Sequence, residues 1–127
     1  MTNREIVRTD RAPTPIGPYS QAVRAGGFVF VSGQISIDAK TGQVVMDDVA
    51  GQTRRVLENV KAVLEAAGTS MDRVVKSTIF LAAIGDFAKV NEIYATYFAK
   101  EPPARSTIQA GALPKGVAVE IDVIALA

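Results

Sequence analysis

The sequence predicts an α+β sandwich in which two helices cover one face of a single β-sheet. Two amphipathic helical patterns alternate with strand-like, β-branched runs along its 127 residues. This length suits one domain with its own core, so residues 1–127 are interpreted as a single domain. Apolar residues make up 48% and charged residues 21%, a balance typical of a folded globular chain.

The first part of the chain is predicted to consist of strands. Residues 11–21 contain three of the six prolines and indicate an ordered, irregular loop. The turn signal Asp38–Gly42 joins two strand patterns. The predicted strands of this part lie at 4–8, 19–25, 28–37 and 43–46.

Two amphipathic helices are predicted next. The first begins at Asp47 or Asp48, either of which can act as N-cap, and ends before Gly68, where a C′ glycine belongs. The second begins at Asp86 and is ended by Pro102 and Pro103. Apolar residues of the first recur at three- and four-residue steps, at Val49, Thr53, Val56, Leu57, Val60, Val63, Leu64 and Ala67. The second shows the same spacing at Phe87, Val90, Ile93 or Tyr94, Tyr97 and Phe98.

Three further strands are predicted at 73–84, 105–111 and 117–126. The turn Leu113–Gly116 is short, so the last two strands are expected to pair as a hairpin. That pairing would bring Arg105 near Glu120, or place both near a subunit seam, and the register stays open.

The last strand also predicts an oligomer. Its acidic and apolar side, opposite the helices, carries Ala118, Glu120, Asp122, Ile124 and Leu126. The strand 28–37 is apolar on both faces over most of its length. Because two helices cover one side of a sheet, a monomer would leave a large apolar patch in water.

The composition excludes several classes of chemistry. The chain has no Cys and no His, which rules out Ser-His-Asp and Cys-His machinery and disulfides and disfavours zinc and copper sites. A net charge of +1 without a basic run argues against nucleic-acid binding. The N-terminal residues lack a signal-peptide core and no apolar run approaches 18 residues, so a soluble cytoplasmic protein without membrane contact is predicted.

Two charged residues are candidates for chemistry. Glu120 lies inside an apolar strand, either as a solvated or lysine-paired carboxylate or as one that positions and activates water. Arg105 follows a rigid Pro-Pro-Ala lead and is typical either of a surface salt bridge or of a clamp for a carboxylate or phosphate.

Weaker candidates accompany them. Tyr19, on a stiffened loop, has packing as its alternative role, and Asn91 alone is typical of a solvent-facing residue. Ser32 and Gly33 interrupt an apolar strand, which marks a bulge or a close approach by a ligand or backbone.

The run PARSTIQAGALPKGVAVEIDVIAL, residues 103–126, resembles the C-terminal signature of the RidA family, the reactive-intermediate (enamine/imine) deaminases. The segments at 15–23, 29–35 and 86–98 and the helix at 48–67 resemble the same family in the same order. The resemblance therefore covers essentially the whole chain.

The resemblance implies a chorismate-mutase-like sandwich with a mixed sheet of about six strands, assembled as a homotrimer with active sites between subunits. It also implies hydrolysis of 2-imino acids (2-iminobutanoate, 2-iminopropanoate) to 2-oxo acids and ammonia, which protects pyridoxal-phosphate enzymes from 2-aminoacrylate. No metal or organic cofactor is expected.

The resemblance assigns roles to residues. Arg105 would hold the substrate carboxylate, Glu120 would orient or activate water, and Tyr19 would line the pocket. At position 107 many members of the deaminating branch carry Cys, so any function of that thiol is absent here. The remaining positions expected to line or support the site are Ser32, Gly33, Phe87, Asn91 and Thr107.

Three rival functions remain open. The first is a small-carboxylate-binding or regulatory interaction module without turnover. RNA cleavage or translation inhibition, activities attributed to some members of the family, is disfavoured by the near-neutral charge and the lack of His. A chorismate-mutase reaction rests on fold analogy alone.

Overall fold

A computed structural model of the chain describes residues 3–127; Met1 and Thr2, part of the predicted domain of 1–127, lie outside the described residues. One six-stranded sheet has the order β1-β2-β3-β6-β4-β5. Its strands are β1 (Arg4–Val7), β2 (Ala22–Ala25), β3 (Phe28–Gln34), β4 (Val74–Leu81), β5 (Ala104–Gln109) and β6 (Val119–Leu126). The helices are α1 (Val49–Ala66) and α2 (Phe87–Tyr97). This architecture confirms the predicted mixed sheet with two helices.

The predicted hairpin of the last two strands is wrong. Strand β6 inserts between β3 and β4 and is antiparallel to both, whereas β5 pairs with β4 in parallel. The parallel pair is possible because α2 carries the chain back to the start of β5, as a crossover connection must. The connection after β5 therefore crosses the end of β4 and leads β6 into the middle of the sheet.

The helix boundaries follow from local chemistry. The Asp48 carboxylate accepts a hydrogen bond from the Gly51 N–H at 2.8 Å, which satisfies one unpaired donor of the first turn of α1. Gly68 adopts a φ of +83°, a left-handed conformation that favours glycine after a helix. Helix α2 ends at Tyr97, a few residues before the prolines expected to end it.

The core lies between the helices and one face of the sheet. Val119, Ile121 and Val123 of β6 are buried under the helices, as the alternation predicts. They pack with the apolar stripe of α1, whose most buried members are Val56, Leu57, Val60, Val63 and Leu64. The described part of the chain contains no helix long and apolar enough to cross a membrane.

The opposite face of the sheet is covered by neither α1 nor α2. Large apolar side chains there remain exposed by 38 to 49%, at Ile6, Phe28, Phe30, Ile108 and Leu126. Phe28 and Phe30 lie side by side with ring centroids 6.3 Å apart. The open apolar face predicted from the sequence is therefore present, and in a single chain its apolar side chains are exposed to water.

Strand β3 is shorter than predicted. It ends at Gln34, and the register of its pairing with β6 shifts between Val31 and Gln34. This irregularity surrounds Ser32 and Gly33, where the interrupted pattern had indicated a bulge. The strand predicted at 43–46 is reduced to one bridge, between Ile37 and Val44.

Candidate functional site

Glu120 lies in an open cleft of about 440 Å³ whose lining includes Tyr19, Ser32, Gly33 and Pro114. We call it the Glu120 cleft. A Cβ atom built on Gly33 would overlap the Glu120 carboxylate. Glycine at the bulge of β3 therefore gives the carboxylate its room, which is the close approach that the sequence pattern indicates.

The electrostatics of this cleft raise the pKa of the Glu120 carboxyl. Partial burial raises the pKa of Glu120, and the neighbouring Asp122 charge raises that pKa further. Burial also raises the pKa of Asp122, although a hydrogen bond from Thr78 and the charge of Lys76 oppose the rise. A carboxyl whose pKa moves towards neutrality is suited to proton transfer.

The loop on the rim of the cleft is held by hydrogen bonds. The Tyr19 hydroxyl accepts from the Ile16 N–H at 3.2 Å, and the Tyr19 ring remains 46% exposed. The Ser32 hydroxyl donates to the Ser20 carbonyl at 2.5 Å. Both predicted site residues therefore line the cleft while their hydroxyls also hold the loop in place.

Arg105 lies in a second cleft, of about 330 Å³, which it shares with Asn91, Tyr94 and Pro103. We call it the Arg105 cleft. The guanidinium carbon lies 4.9 Å from the centroid of the Tyr94 ring and 5.5 Å from that of Phe87. Among residues 3–127, the ion pairs are Arg11–Glu65, Arg24–Glu5 and Lys89–Glu92, so no carboxylate of this part neutralises Arg105. Its donors are available for an anionic ligand.

Thr107 lies on the same side of β5 as Arg105, because the two are two residues apart. Its hydroxyl is buried and makes no hydrogen bond within the described residues. Asn91 and Phe87 lie on α2 beside the arginine, and Phe87 is 39% exposed. Of the predicted substrate-binding residues, these three therefore lie on the side of Arg105.

The sheet separates Arg105 from Glu120. Arg105 pairs with Ser77 of β4, and Glu120 pairs with Phe80 of the same strand. Residues three apart on a strand point to opposite faces. Arg105 therefore lies on the helix side of the sheet and Glu120 on the open side. The expectation that a hairpin brings these two residues close together is wrong within one chain.

Sequence reasoning missed two residues near the arginine. Tyr94 was assigned only to the apolar stripe of the second helix, and Ser77 was not singled out. The available signal was spacing, since Tyr94 follows Phe87 by seven residues, or two helical turns. Within residues 3–127 no three His, Cys, Asp or Glu side chains lie close enough to hold a metal ion together.

The fold places the chain in a class of small α+β proteins with one mixed sheet and two helices on one face. The solved structure of TdcF from E. coli with bound serine superimposes with a TM-score of 0.92 at 44% identity, covering 97% of this chain and 98% of that one. The fold is therefore one already found in solved proteins.

Residues 9–127 match the family described as Endoribonuclease L-PSP, and the chain belongs to this family, which is also called the YjgF/RidA family. A RutC family protein of Pyrococcus horikoshii is 54% identical over 122 residues, which cover 96% of this chain and 97% of that protein. The 2-iminobutanoate/2-iminopropanoate deaminase of Mus musculus is 45% identical over 123 residues, 97% of this chain and 91% of the relative. The resemblance found in the sequence is confirmed, and the Mus musculus relative supports a deaminase function.

Proposed function

We propose that this protein hydrolyses small 2-imino acids, such as 2-iminobutanoate and 2-iminopropanoate, to 2-oxo acids and ammonia. The observation that carries the proposal is the Arg105 guanidinium, which lies in a cleft and has no carboxylate partner within the described residues. A planar guanidinium binds a carboxylate through two parallel N–H donors. The deaminase of Mus musculus supports the choice of imino acids as substrates.

The reaction needs one water and one group that moves a proton. Water adds to the imine carbon, Glu120 accepts a proton from that water, and the proton returns to the nitrogen. Glu120 then accepts the hydroxyl proton of the resulting carbinolamine and passes it to the nitrogen as the C–N bond breaks, which releases ammonia and leaves the 2-oxo acid. The raised pKa of Glu120 suits it to accept and return a proton in this way. No metal or organic cofactor is required by this scheme.

The active site is proposed to form between chains. Arg105 and Glu120 point to opposite faces of their own sheet, so one chain cannot present both to a small substrate. Packing the open faces of three chains would bury exposed Phe28, Phe30 and Leu126. A cyclic trimer repeats one contact three times and can bring the Arg105 edge of each chain to the Glu120 cleft of a neighbour. This arrangement supplies three complete sites.

Protection of pyridoxal-phosphate enzymes is the proposed cellular role. Dehydratases of that class release enamines that are tautomers of 2-imino acids, including 2-aminoacrylate. A hydrolase that removes them in the cytoplasm lowers their concentration near the enzymes that they damage.

One alternative has a specific observation in its favour. TdcF, a relative of this chain, was solved with bound serine, an amino acid whose carboxylate an arginine can hold without any reaction. A regulatory module that binds small carboxylates would use the same Arg105 cleft. It predicts that ligand is recovered unchanged.

The deciding experiment traps the imine. Threonine dehydratase generates 2-iminobutanoate in situ, semicarbazide traps it, and semicarbazone formation is followed with and without the protein. Wild-type protein is expected to suppress the trapped product, and Arg105→Ala is expected to have no effect while its thermal unfolding stays normal. An unchanged trapping rate with the wild type would reject the deaminase and favour the binding module. Full suppression by Arg105→Ala would reject the carboxylate clamp.

A further inference from the structure

The arginine of the candidate site is held by a side chain that no catalytic role explains. Tyr94 of α2 is only 5% exposed, and its ring lies 4.9 Å from the guanidinium carbon of Arg105. Its hydroxyl is 2.6 Å from the hydroxyl of Ser77, which is fully buried in β4. Phe98 packs against the same ring with centroids 4.5 Å apart. The ring is therefore fixed at its hydroxyl and against a second aromatic side chain.

Ser77 is also the residue beside Arg105 in the sheet. The parallel register of β4 and β5 pairs these two residues directly, so their side chains leave the sheet on the same face. Tyr94 thus bonds to the immediate neighbour of the arginine that its ring contacts. Helix α2, strand β4 and strand β5 are linked at one point through Tyr94, Ser77 and Arg105.

This arrangement replaces the support that a carboxylate gives to many buried arginines. An arginine side chain has several rotatable bonds, and ordering it costs entropy unless contacts already restrict it. Contact between a guanidinium and an aromatic ring is favourable and leaves the N–H donors in the guanidinium plane available for a ligand. A carboxylate partner would instead occupy those donors and neutralise the charge.

Both rings come from one helix stripe. Phe87 and Tyr94 are seven residues apart on α2, so they lie on the same side of the helix, above Arg105. The two differ in support, because Phe87 is 39% exposed whereas Tyr94 is buried and hydrogen-bonded. Burial raises the pKa of the Tyr94 hydroxyl, so it keeps its proton at neutral pH and the bond to Ser77 persists.

We propose that Tyr94, anchored by Ser77, is a positioning residue that holds the Arg105 guanidinium ready for a carboxylate ligand. The identity of that ligand rests on the proposed function, whereas the ordering of the arginine does not. A guanidinium fixed in advance binds its ligand with a smaller loss of entropy.

The test compares two aromatic deletions in the full-length protein. Tyr94→Leu removes the ring that contacts Arg105, and Tyr97→Leu is the matched control, because Tyr97 lies on the same helix, bonds to Glu58 and does not line the Arg105 cleft. Two quantities are measured: the order parameter of the Arg105 side-chain Nε–H by ¹⁵N relaxation, and the affinity for 2-oxobutanoate by calorimetry. Neither depends on turnover.

Tyr94→Leu is expected to lower the Arg105 order parameter and to weaken 2-oxobutanoate binding about tenfold, the scale of a lost cation–π contact. Tyr97→Leu is expected to lower the melting temperature while changing the affinity less than about twofold. Equal effects of the two substitutions on Arg105 order and on affinity would overturn the proposal, because they would indicate general loosening of the core.

Two milder variants decide the matter if Tyr94→Leu does not fold. Tyr94→Phe and Ser77→Ala each remove the hydroxyl bond and keep the ring, and each is expected to lower Arg105 order and to weaken binding about twofold to threefold. Wild-type order and affinity in both would overturn the proposal. The proposed function would be rejected if the wild type neither binds 2-oxobutanoate nor hydrolyses imine. If the variants still lower the order of Arg105 in that case, the positioning role would remain supported.

Discussion

The Glu120 cleft and the Arg105 cleft hold their charged groups in opposite ways. Glu120 is half-buried and lies beside the Asp122 carboxylate. Burial and the Asp122 charge both disfavour the charged form of Glu120 and raise its pKa. Arg105 instead lies against two aromatic rings, which favour its positive charge. The Glu120 cleft therefore offers a group suited to proton exchange. The Arg105 cleft offers a permanent positive charge suited to binding an anion.

This difference shows why neither cleft is sufficient. A carboxyl that can move a proton does not hold an anionic substrate, and a guanidinium that holds the substrate does not move a proton at neutral pH. The sheet keeps the two on opposite faces of one chain. The proposed reaction therefore needs sites that are shared between chains.

The largest effect is expected from Glu120→Gln, which keeps the shape of the side chain and removes its proton chemistry. Imine hydrolysis should fall by about 10²–10⁴-fold while 2-oxobutanoate still binds, because binding is assigned to Arg105. Activity by semicarbazide trapping and affinity by calorimetry measure the two effects. Glu92→Gln, at an exposed ion pair with Lys89, serves as control and should be silent. Equal loss of binding and turnover would contradict the division of roles.

Mixing inactive chains should restore activity. Arg105→Ala and Glu120→Gln each inactivate one cleft. In the proposed trimer, co-refolding the two variants would give sites with an intact Glu120 cleft from one chain and an intact Arg105 cleft from the next. When equal amounts of the two variants assemble at random, about one quarter of the sites have both clefts intact. Trapping assays on the mixture, against each variant refolded alone, measure the recovery. A mixture of the two variants without activity would contradict sites that combine Arg105 of one chain with Glu120 of another.

Gly33→Ala should damage the Glu120 cleft and leave the Arg105 cleft working. The added Cβ would overlap the Glu120 carboxylate, so that side chain or the β3 bulge must move, at a cost of about 1–3 kcal/mol. Chemical denaturation and trapping assays should show losses in stability and activity with 2-oxobutanoate affinity preserved. Gly85→Ala is the matched control, since no atom lies within 4 Å of its added Cβ. Identical behaviour of the two variants would refute the close approach.

The stability of the folded chain should respond to pH through Glu120. Because its pKa is raised above the ordinary 4.5, the folded chain binds this proton more tightly than the unfolded chain does. The resulting stabilisation is fully present below about pH 4.5 and is lost as the pH rises through the folded pKa. Glu120→Gln, which cannot ionise, should therefore gain melting temperature relative to wild type at about pH 7 and not at about pH 4. The same difference at both pH values would argue against a raised pKa.

The smallest effect is expected from Asp122→Asn. Removing the neighbouring negative charge lowers the pKa of Glu120, although burial, the larger cause of the raised value, remains. The acid side of the pH profile of kcat should shift to lower pH, with little change in the maximum. Asp72→Asn, in the turn before β4, is the control and should leave the profile unchanged. A shift to higher pH would show that Asp122 does not act on Glu120 through its charge.

Local features of this fold were predictable because they depend on neighbours in sequence. The cap at Asp48, the terminating Gly68 and the alternation of β6 each follow from a few adjacent residues. The place of β6 in the sheet depends instead on partners about 40 to 100 residues earlier, in β4 and β3. A short loop before a strand is compatible with a hairpin or with insertion elsewhere, so sequence spacing could not distinguish them.

The candidate site shows the same limit. Arg105 and Glu120 were recognised by residue type and by their motifs, but their separation by the sheet follows from the strand register alone. Tyr94 was missed because a buried aromatic residue on a helix stripe is usually a core residue, and its contact with Arg105 appears only when α2 lies over β5.

Strand β5, which carries Arg105, is the last strand of the sheet, so the backbone groups on its outer side have no neighbouring strand. Such an edge can recruit strands of other chains and start aggregation. Pro102 and Pro103 lack backbone N–H donors, so the strand cannot be extended at its start, but the six residues of β5 remain as an edge. If the proposed trimer covers this edge, variants that weaken the trimer should lose solubility before they yield a stable single chain, and they should precipitate during expression.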